Sequence, residues 1–299
     1  MLPSRKLSVV FVSALLAIVA GCGTSAPSTA SPAATSTEHH GATIDKIRSD
    51  GTLIVGVADD TPWSFSSLSP QGDYGIMPDI IAQFAKMEGI PHVQYQSMLF
   101  ADFIGALQSD RIDIVGDTMY NTIAREQEIA YPSPVFYDPG GMIVAKGNPL
   151  NLHSLSDLKS GMKLAVPEGS IYLTYAQNLV ASGVQLTLLP VPGVSQQIAA
   201  VSSGQADAAI NDAILYAYAL KINPSLNLSI ATPFAQPVVR SSTESDCTFP
   251  KGEPDLIAAW NADFNVMTKD GFVDKVLEEY GATPSLYVAN PTDPDYTSS

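Results

Sequence analysis

Residues 112–134 read IDIVGDTMYNTIAREQEIAYPSP. Ile112, Asp113, Ile114 and Val115 predict a short buried strand, and Gly116 ends it with a residue that tolerates unusual backbone angles. Small and polar residues follow, among them Asp117, Thr118, Tyr120 and Thr122, and then the charged run Arg125-Glu126-Gln127-Glu128. The pattern is a strand feeding a polar loop and a helix N-terminus, where free backbone N–H groups favour an anion. Arg125 adds a guanidinium fork suited to a carboxylate. On these residues alone, an exposed Arg125 paired with Glu126 or Glu128 reads equally well.

Working outward, the stretch resembles the signature of the solute-binding proteins that deliver polar amino acids to ABC importers. The matching residues are Asp113-Ile114, Thr122-Ile123-Ala124-Arg125 and the run Tyr131-Pro132-Ser133-Pro134-Val135-Phe136-Tyr137. The resemblance extends over about residues 51–281. It implies an α/β fold of the type II periplasmic-binding class: two lobes, each a mixed sheet flanked by helices, joined by a two-strand hinge. It also implies that Arg125 grips a ligand carboxylate and that the loop before it, through Thr118, supplies further hydrogen bonds.

Further motifs extend the resemblance in both directions. Residues 51–57, GTLIVGV, read as a strand apolar on both faces, as parallel strands under helices are. The acidic and aromatic segment after it, with Asp59, Asp60 and Trp63, falls where the family meets its ligand; either Asp reads equally as a turn residue, and Trp63 reads also as core. Residues 100–109 predict a helix, with Phe100 in the place of a family aromatic that touches ligand. Tyr120 stands where the family has Ser or Thr, so a ring could face a cationic ligand group, an interaction worth about 0.5–2 kcal/mol.

The second half carries its own landmarks. Strand 163–166 leads through Pro167-Glu168-Gly169-Ser170 into a helix, an anion-friendly turn that puts Ser170 and the Ile171 backbone on the ligand list. Residues 185–189 predict the next strand. The run from Gly204 to Asp212 matches the family's Gly-x-x-Asp-Ala-x-x-x-Asp, whose last Asp meets the α-ammonium. Asp212 reads equally as the N-cap of helix 213–220. Asp207 reads as structural, and Cys247 as an inert buried thiol in a strand. A carboxylate opposite an arginine across a cleft gives each charge of a zwitterion a partner once water is excluded.

The N-terminus has a targeting signature. Arg5 and Lys6 precede an apolar run over 7–20, too short to span a bilayer, for which about 20 apolar residues are needed. Val19-Ala20-Gly21-Cys22 resembles a bacterial lipobox, which implies cleavage before Cys22 and lipidation of its thiol. Residues 23–41 are Ser, Thr, Ala and Pro with almost no bulky apolar side chain, the composition of a flexible tether ending at His39 and His40. The expected division is a signal peptide at 1–21, a tether at 22–43, lobe 1 from 44–139 and 243–290, and lobe 2 from 140–242.

The formal charge is −15, and loss of residues 1–21, which hold two cations and no acid, makes it −17. That disfavours nucleic acid and anionic lipid surfaces as partners. No Gly-Lys-Ser/Thr phosphate loop, His-Glu-x-x-His, Cys-x-x-Cys, Gly-x-Ser-x-Gly or dinucleotide fingerprint occurs, so no metal or cofactor is expected. The reading is a monomeric binding lipoprotein, anchored outside the cytoplasm, that delivers an amino acid to a permease and its ATPase. The alternatives are a binder of an ectoine- or betaine-like solute, and an enzyme resembling the periplasmic cyclohexadienyl dehydratases with Glu168 or Asp117 as its acid. A sensor domain is disfavoured, because no transmembrane or signalling segment follows.

Overall fold

The computed structural model describes residues 43–65, 74–133, 136–235 and 244–282. The signal, lipobox and tether, including Cys22, His39 and His40, lie outside the described residues, as do Pro134, Val135 and residues 236–243.

Strand Thr52–Val57 is the centre of the first sheet, with His92–Ser97 and Ile114–Val115 parallel to it on either side. Its alternate residues Leu53, Val55 and Val57 point into the core and are wholly buried. Asp113 fixes the third strand: its Oδ2 accepts the Ile54 N–H at 2.7 Å. The expected mixed sheet is therefore parallel here. Antiparallel pairing occurs instead in two small sheets beside it, formed by Met119–Tyr120, Glu244–Asp246 and Phe136–Tyr137, and by Phe249–Pro250 with Ile129–Ala130. Helices Ile76–Met87, Pro254–Lys269 and Phe272–Glu279 cover this half through an aromatic chain. Trp63 meets Phe136 at 5.0 Å, Phe136 meets Phe264 at 5.9 Å, and Trp260 joins Phe264, Phe84 and Phe249.

The second sheet runs Leu228–Ile230, Gly140–Ala145, Ala208–Asp212, Lys163–Pro167, Thr187–Val191. Ala208–Asp212 is antiparallel to Gly140–Ala145 and parallel to Lys163–Pro167, which makes this sheet mixed. Asp207 repeats the device of Asp113, accepting the Lys163 N–H at 2.8 Å. The edge strand lies two residues later than 185–189, because pairing of Lys163 with Thr187 sets its register. Phe136–Tyr137 leads directly into Gly140–Ala145 and pairs with Glu244–Asp246, so two antiparallel strands lie side by side where the chain crosses between the sheets. Cys247 is buried with a free thiol, but it sits between strands Glu244–Asp246 and Phe249–Pro250, not in one.

Candidate functional site

Thr122 caps the short helix Ile123–Glu126, its Oγ1 accepting the Arg125 N–H at 3.2 Å. The cap turns the Arg125 side chain inward, where it is 7% exposed. Its guanidinium donates to the carbonyls of Tyr120 and Gly169, each at 2.9 Å, and lies 5.7 Å from the centre of the Phe100 ring. The exposed pairing with Glu126 or Glu128 does not form; Glu128 receives Gln108 instead. Burial lowers the Arg125 pKa from its ordinary value.

On the second sheet, Asp212 ends strand Ala208–Asp212 and is 4% exposed. Its side chain does not cap the helix Ala213–Ile222. Asp212 Oδ1 accepts hydroxyls from Tyr120 at 2.6 Å and Tyr172 at 2.9 Å. Tyr120 reaches it from the strand Met119–Tyr120, and its oxygen also lies 2.7 Å from the Asp138 carbonyl. Tyr172 reaches it because Gly140 has no side chain: a Cβ there would sit 2.7 Å from the Tyr172 hydroxyl. Beneath the strand, Gln197 and Asn211 bond each other, and Gln197 also donates to the Ile210 carbonyl at 2.9 Å.

These groups face a narrow cleft cavity of about 20 Å³. Asp59, Phe100, Thr118, Tyr120 and Arg125 line it from one side, and Ser170, Ile171 and Asp212 from the other. The Thr118 hydroxyl is buried without a hydrogen-bond partner. Ser170 is the N-cap of helix Ile171–Ala181, accepting the Leu173 N–H at 3.3 Å. Both Asp59 and Asp60 reach the cavity, so the choice left open between them falls to neither alone. Trp63 is a correction. It is wholly buried and does not line the cavity; its indole donates to Asp138 Oδ2 at 2.7 Å, from behind the site.

The two walls are in close contact. A Cβ on Gly169 would sit 2.9 Å from Ala101 Cα, and one on Gly193 would sit 2.6 Å from the Asp59 carbonyl oxygen. Together with the Tyr120–Asp212 and Arg125–Gly169 bonds, these contacts describe a cleft whose walls have met.

Sequence reasoning missed Asp138 and Tyr172, both brought to Asp212 by the fold. It also passed over the acidity of the site. Burial, followed by the charge of Asp117, pushes the Asp60 carboxyl well above the usual range. Burial pushes Asp117 up to about 8, against hydrogen bonds from Ser64 Oγ at 2.7 Å and the Thr118 N–H at 2.8 Å. Burial and the neighbouring Asp212 charge also raise Asp138 well above the usual range. Among the described residues, no group of His, Cys, Asp and Glu is arranged to hold a metal ion, and no helix is long and apolar enough to cross a membrane.

A two-sheet α/β body closing on a polar cavity beside crossing strands defines the class of two-lobed type II periplasmic-binding proteins. An ancestral arginine-binding protein bound to arginine shares this fold, with a TM-score of 0.68 and 29% identity over 78% of this chain and 99% of that one. The same score, at 27% identity over 80% and 99%, relates it to an ancestral amino acid-binding protein described as a precursor of cyclohexadienyl dehydratase. A probable amino-acid ABC transporter periplasmic-binding protein of Sinorhizobium fredii is 27% identical over 255 residues, 83% of each chain. The family model for bacterial extracellular solute-binding proteins, family 3, matches residues 53–283, and the chain belongs to that family.

Proposed function

We propose that this chain captures an amino acid carrying an additional positive charge and hands it to an ABC permease. The observation that carries this reading is the opposition of Arg125 and Asp212 across one cavity, with the Thr118 hydroxyl unpartnered between the walls. Arg125 and Thr118 take the carboxylate, assisted by the helix N-terminus at Ser170 and Ile171. Asp212 takes the α-ammonium, for which the two tyrosine hydroxyls give way. Asp59 adds an acid to the lining beside Asp212, with Arg125 the one basic residue there among the described residues, which favours a cationic side chain over a neutral one. The ancestral relative bound to arginine is in keeping with that choice. Phe100 is engaged by Arg125, so it steadies the guanidinium and is not a free platform for an ectoine- or betaine-like solute.

The lobes are residues 44–139 with 243–290, and 140–242. Contacts from both are needed, because a ligand shifts the balance towards closure only by binding the closed form better. Cys22 is the lipid anchor that holds the protein at the outer face of the membrane. The reading as a binder and not an enzyme is supported by the relatives, which are binding proteins, and by the candidate acids: Glu168 is exposed, and Asp117 is engaged by Ser64. Calorimetric titration of delipidated protein against arginine, lysine, histidine, glutamine, ectoine and glycine betaine tests the proposal. Micromolar or tighter binding confined to basic amino acids is expected. Binding of ectoine or betaine alone, or turnover of prephenate or arogenate, would overturn it.

A further inference from the structure

A second concavity adjoins the ligand cavity at Asp59 and Pro192. The cavity itself measures about 20 Å³, room for about one water molecule. The groove beside it is open and measures about 1140 Å³. Asp59 and Pro192 border both spaces, and neighbours in the chain divide between them. Phe100 lines the cavity and Leu99 the groove; Gly193 lines the cavity and Val194 the groove. The partition is the contact of Asp59 with Gly193, where a Cβ would sit 2.6 Å from the Asp59 carbonyl oxygen.

The groove differs from the cavity in its chemistry. Met98 and Leu99 line it from the half built on the first sheet, and Ile198, Ile222 and Leu226 from the half built on the second. Leu99 is 46% exposed and Ile222 61% exposed, so apolar surface lies open along it. Phe65 and Tyr218, also on the lining, meet edge-on with ring centroids 6.1 Å apart, so contact between the two halves assembles the groove. Asp102 and Arg111 offset each other in formal charge. The negative charge of Asp59 is left at the border with the cavity.

We propose that cavity and groove form one continuous ligand site, and that the groove takes an apolar substituent on the distal nitrogen of a basic amino acid. The inference rests on the amino-acid reading of the cleft. Arg125 and Asp212 hold the carboxylate and the α-ammonium. With the walls together, the cavity has no room for a long side chain as well, and the space adjoining it lies beyond Asp59 and Pro192. A side chain leaving that way carries its distal cation past the Asp59 carboxylate and its end between Leu99 and Ile222. A secondary amine or an alkylated guanidinium keeps the charge that Asp59 answers, and its added carbons cover apolar surface that plain lysine or arginine leaves wet. Because the lining comes from both halves, filling the groove favours the closed form.

Titration calorimetry of arginine and lysine against Nω-propyl-arginine and Nε-benzyl-lysine tests the proposal. One fully buried methylene is worth about fourfold in affinity, so substituents partly covered by the groove should bind about tenfold tighter than their parents. Leu99→Asn combined with Ile222→Asn alters exposed side chains, and should remove that gain while leaving the parents within about twofold. Scanning calorimetry checks that the double variant is folded. Ala219→Trp fills the groove without removing apolar surface and should likewise weaken the derivatives alone, which decides the matter if the double variant does not fold. Derivatives that bind more weakly than their parents would overturn the proposal, as would equal losses for parents and derivatives in folded groove variants. Silence from arginine and lysine, substituted or not, would refute the amino-acid reading itself, whereas parents that bind beside derivatives that do not would refute the groove alone.

Discussion

Replacing Arg125 with Ala removes the cation assigned to the ligand carboxylate. The guanidinium is 7% exposed and donates to Tyr120 and Gly169 carbonyls at 2.9 Å, so water cannot take its place when the walls are together. A carboxylate buried there without a partner costs about 3–5 kcal/mol, a loss of affinity on the order of a hundred- to several-thousand-fold. The fold should lose much less. The Tyr120 carbonyl keeps the Tyr131 hydroxyl at 2.9 Å, and one neutral hydrogen bond is worth about 1 kcal/mol. The melting temperature of ligand-free Arg125→Ala should therefore fall by only a few degrees. Titration calorimetry gives the affinity, and scanning calorimetry on the same preparation separates binding from folding. Arg125→Lys keeps the charge without the fork and should fall between the two. A variant that melts like the natural protein yet binds within tenfold of it would refute the assignment of Arg125.

Other predictions follow from the same geometry. Gly193→Ala places a Cβ 2.6 Å from the Asp59 carbonyl oxygen while its backbone is extended at φ −173°, so the effect is steric and bears on closure. Overpacking of about 1–3 kcal/mol should weaken ligand binding roughly 5- to 150-fold in titration calorimetry, with ligand-free melting little changed; unaltered affinity would show that the walls need not meet. Asp117, raised in the folded protein to about 8, stabilises the fold most fully below the unfolded carboxyl value near 3.8 and loses that contribution as pH rises towards 8. Asp117→Asn should therefore gain stability relative to the natural protein at pH 8 more than at pH 5 in denaturant titrations; equal differences at both pH values would count against a buried, protonated Asp117. Cys22→Ser should abolish incorporation of labelled fatty acid and release the protein from membranes, and retained labelling would refute the anchor.

Several parts of the fold were legible locally because their causes are local. The apolar run at 52–57 and the Thr122-x-x-Arg125 spacing are written in short stretches, whereas the partners of Asp113 and Asp207 are not, since Ile54 and Lys163 lie 59 and 44 residues away. The same residues suggested a strand at 185–189, but a strand's register belongs to its partner, and pairing with Lys163 moved it to Thr187–Val191. Cys247 was legible as buried, but its place between two strands was not.

By itself, the sequence determined the kind of fold and, through motif spacing that acts over a few residues, singled out Arg125 and Asp212, while leaving an exposed Arg125 and a capping Asp212 equally open. Only the tertiary structure decided what those groups touch. Tyr120 and Asp212 are 92 residues apart in sequence and 2.6 Å apart in space. Trp63 and Asp138, 75 residues apart, meet behind the site, which moves Trp63 from the ligand to the support of a buried acid. A buried carboxyl's proton depends on every charge and donor packed around it, and that surrounding is assembled from distant segments only when the chain has folded.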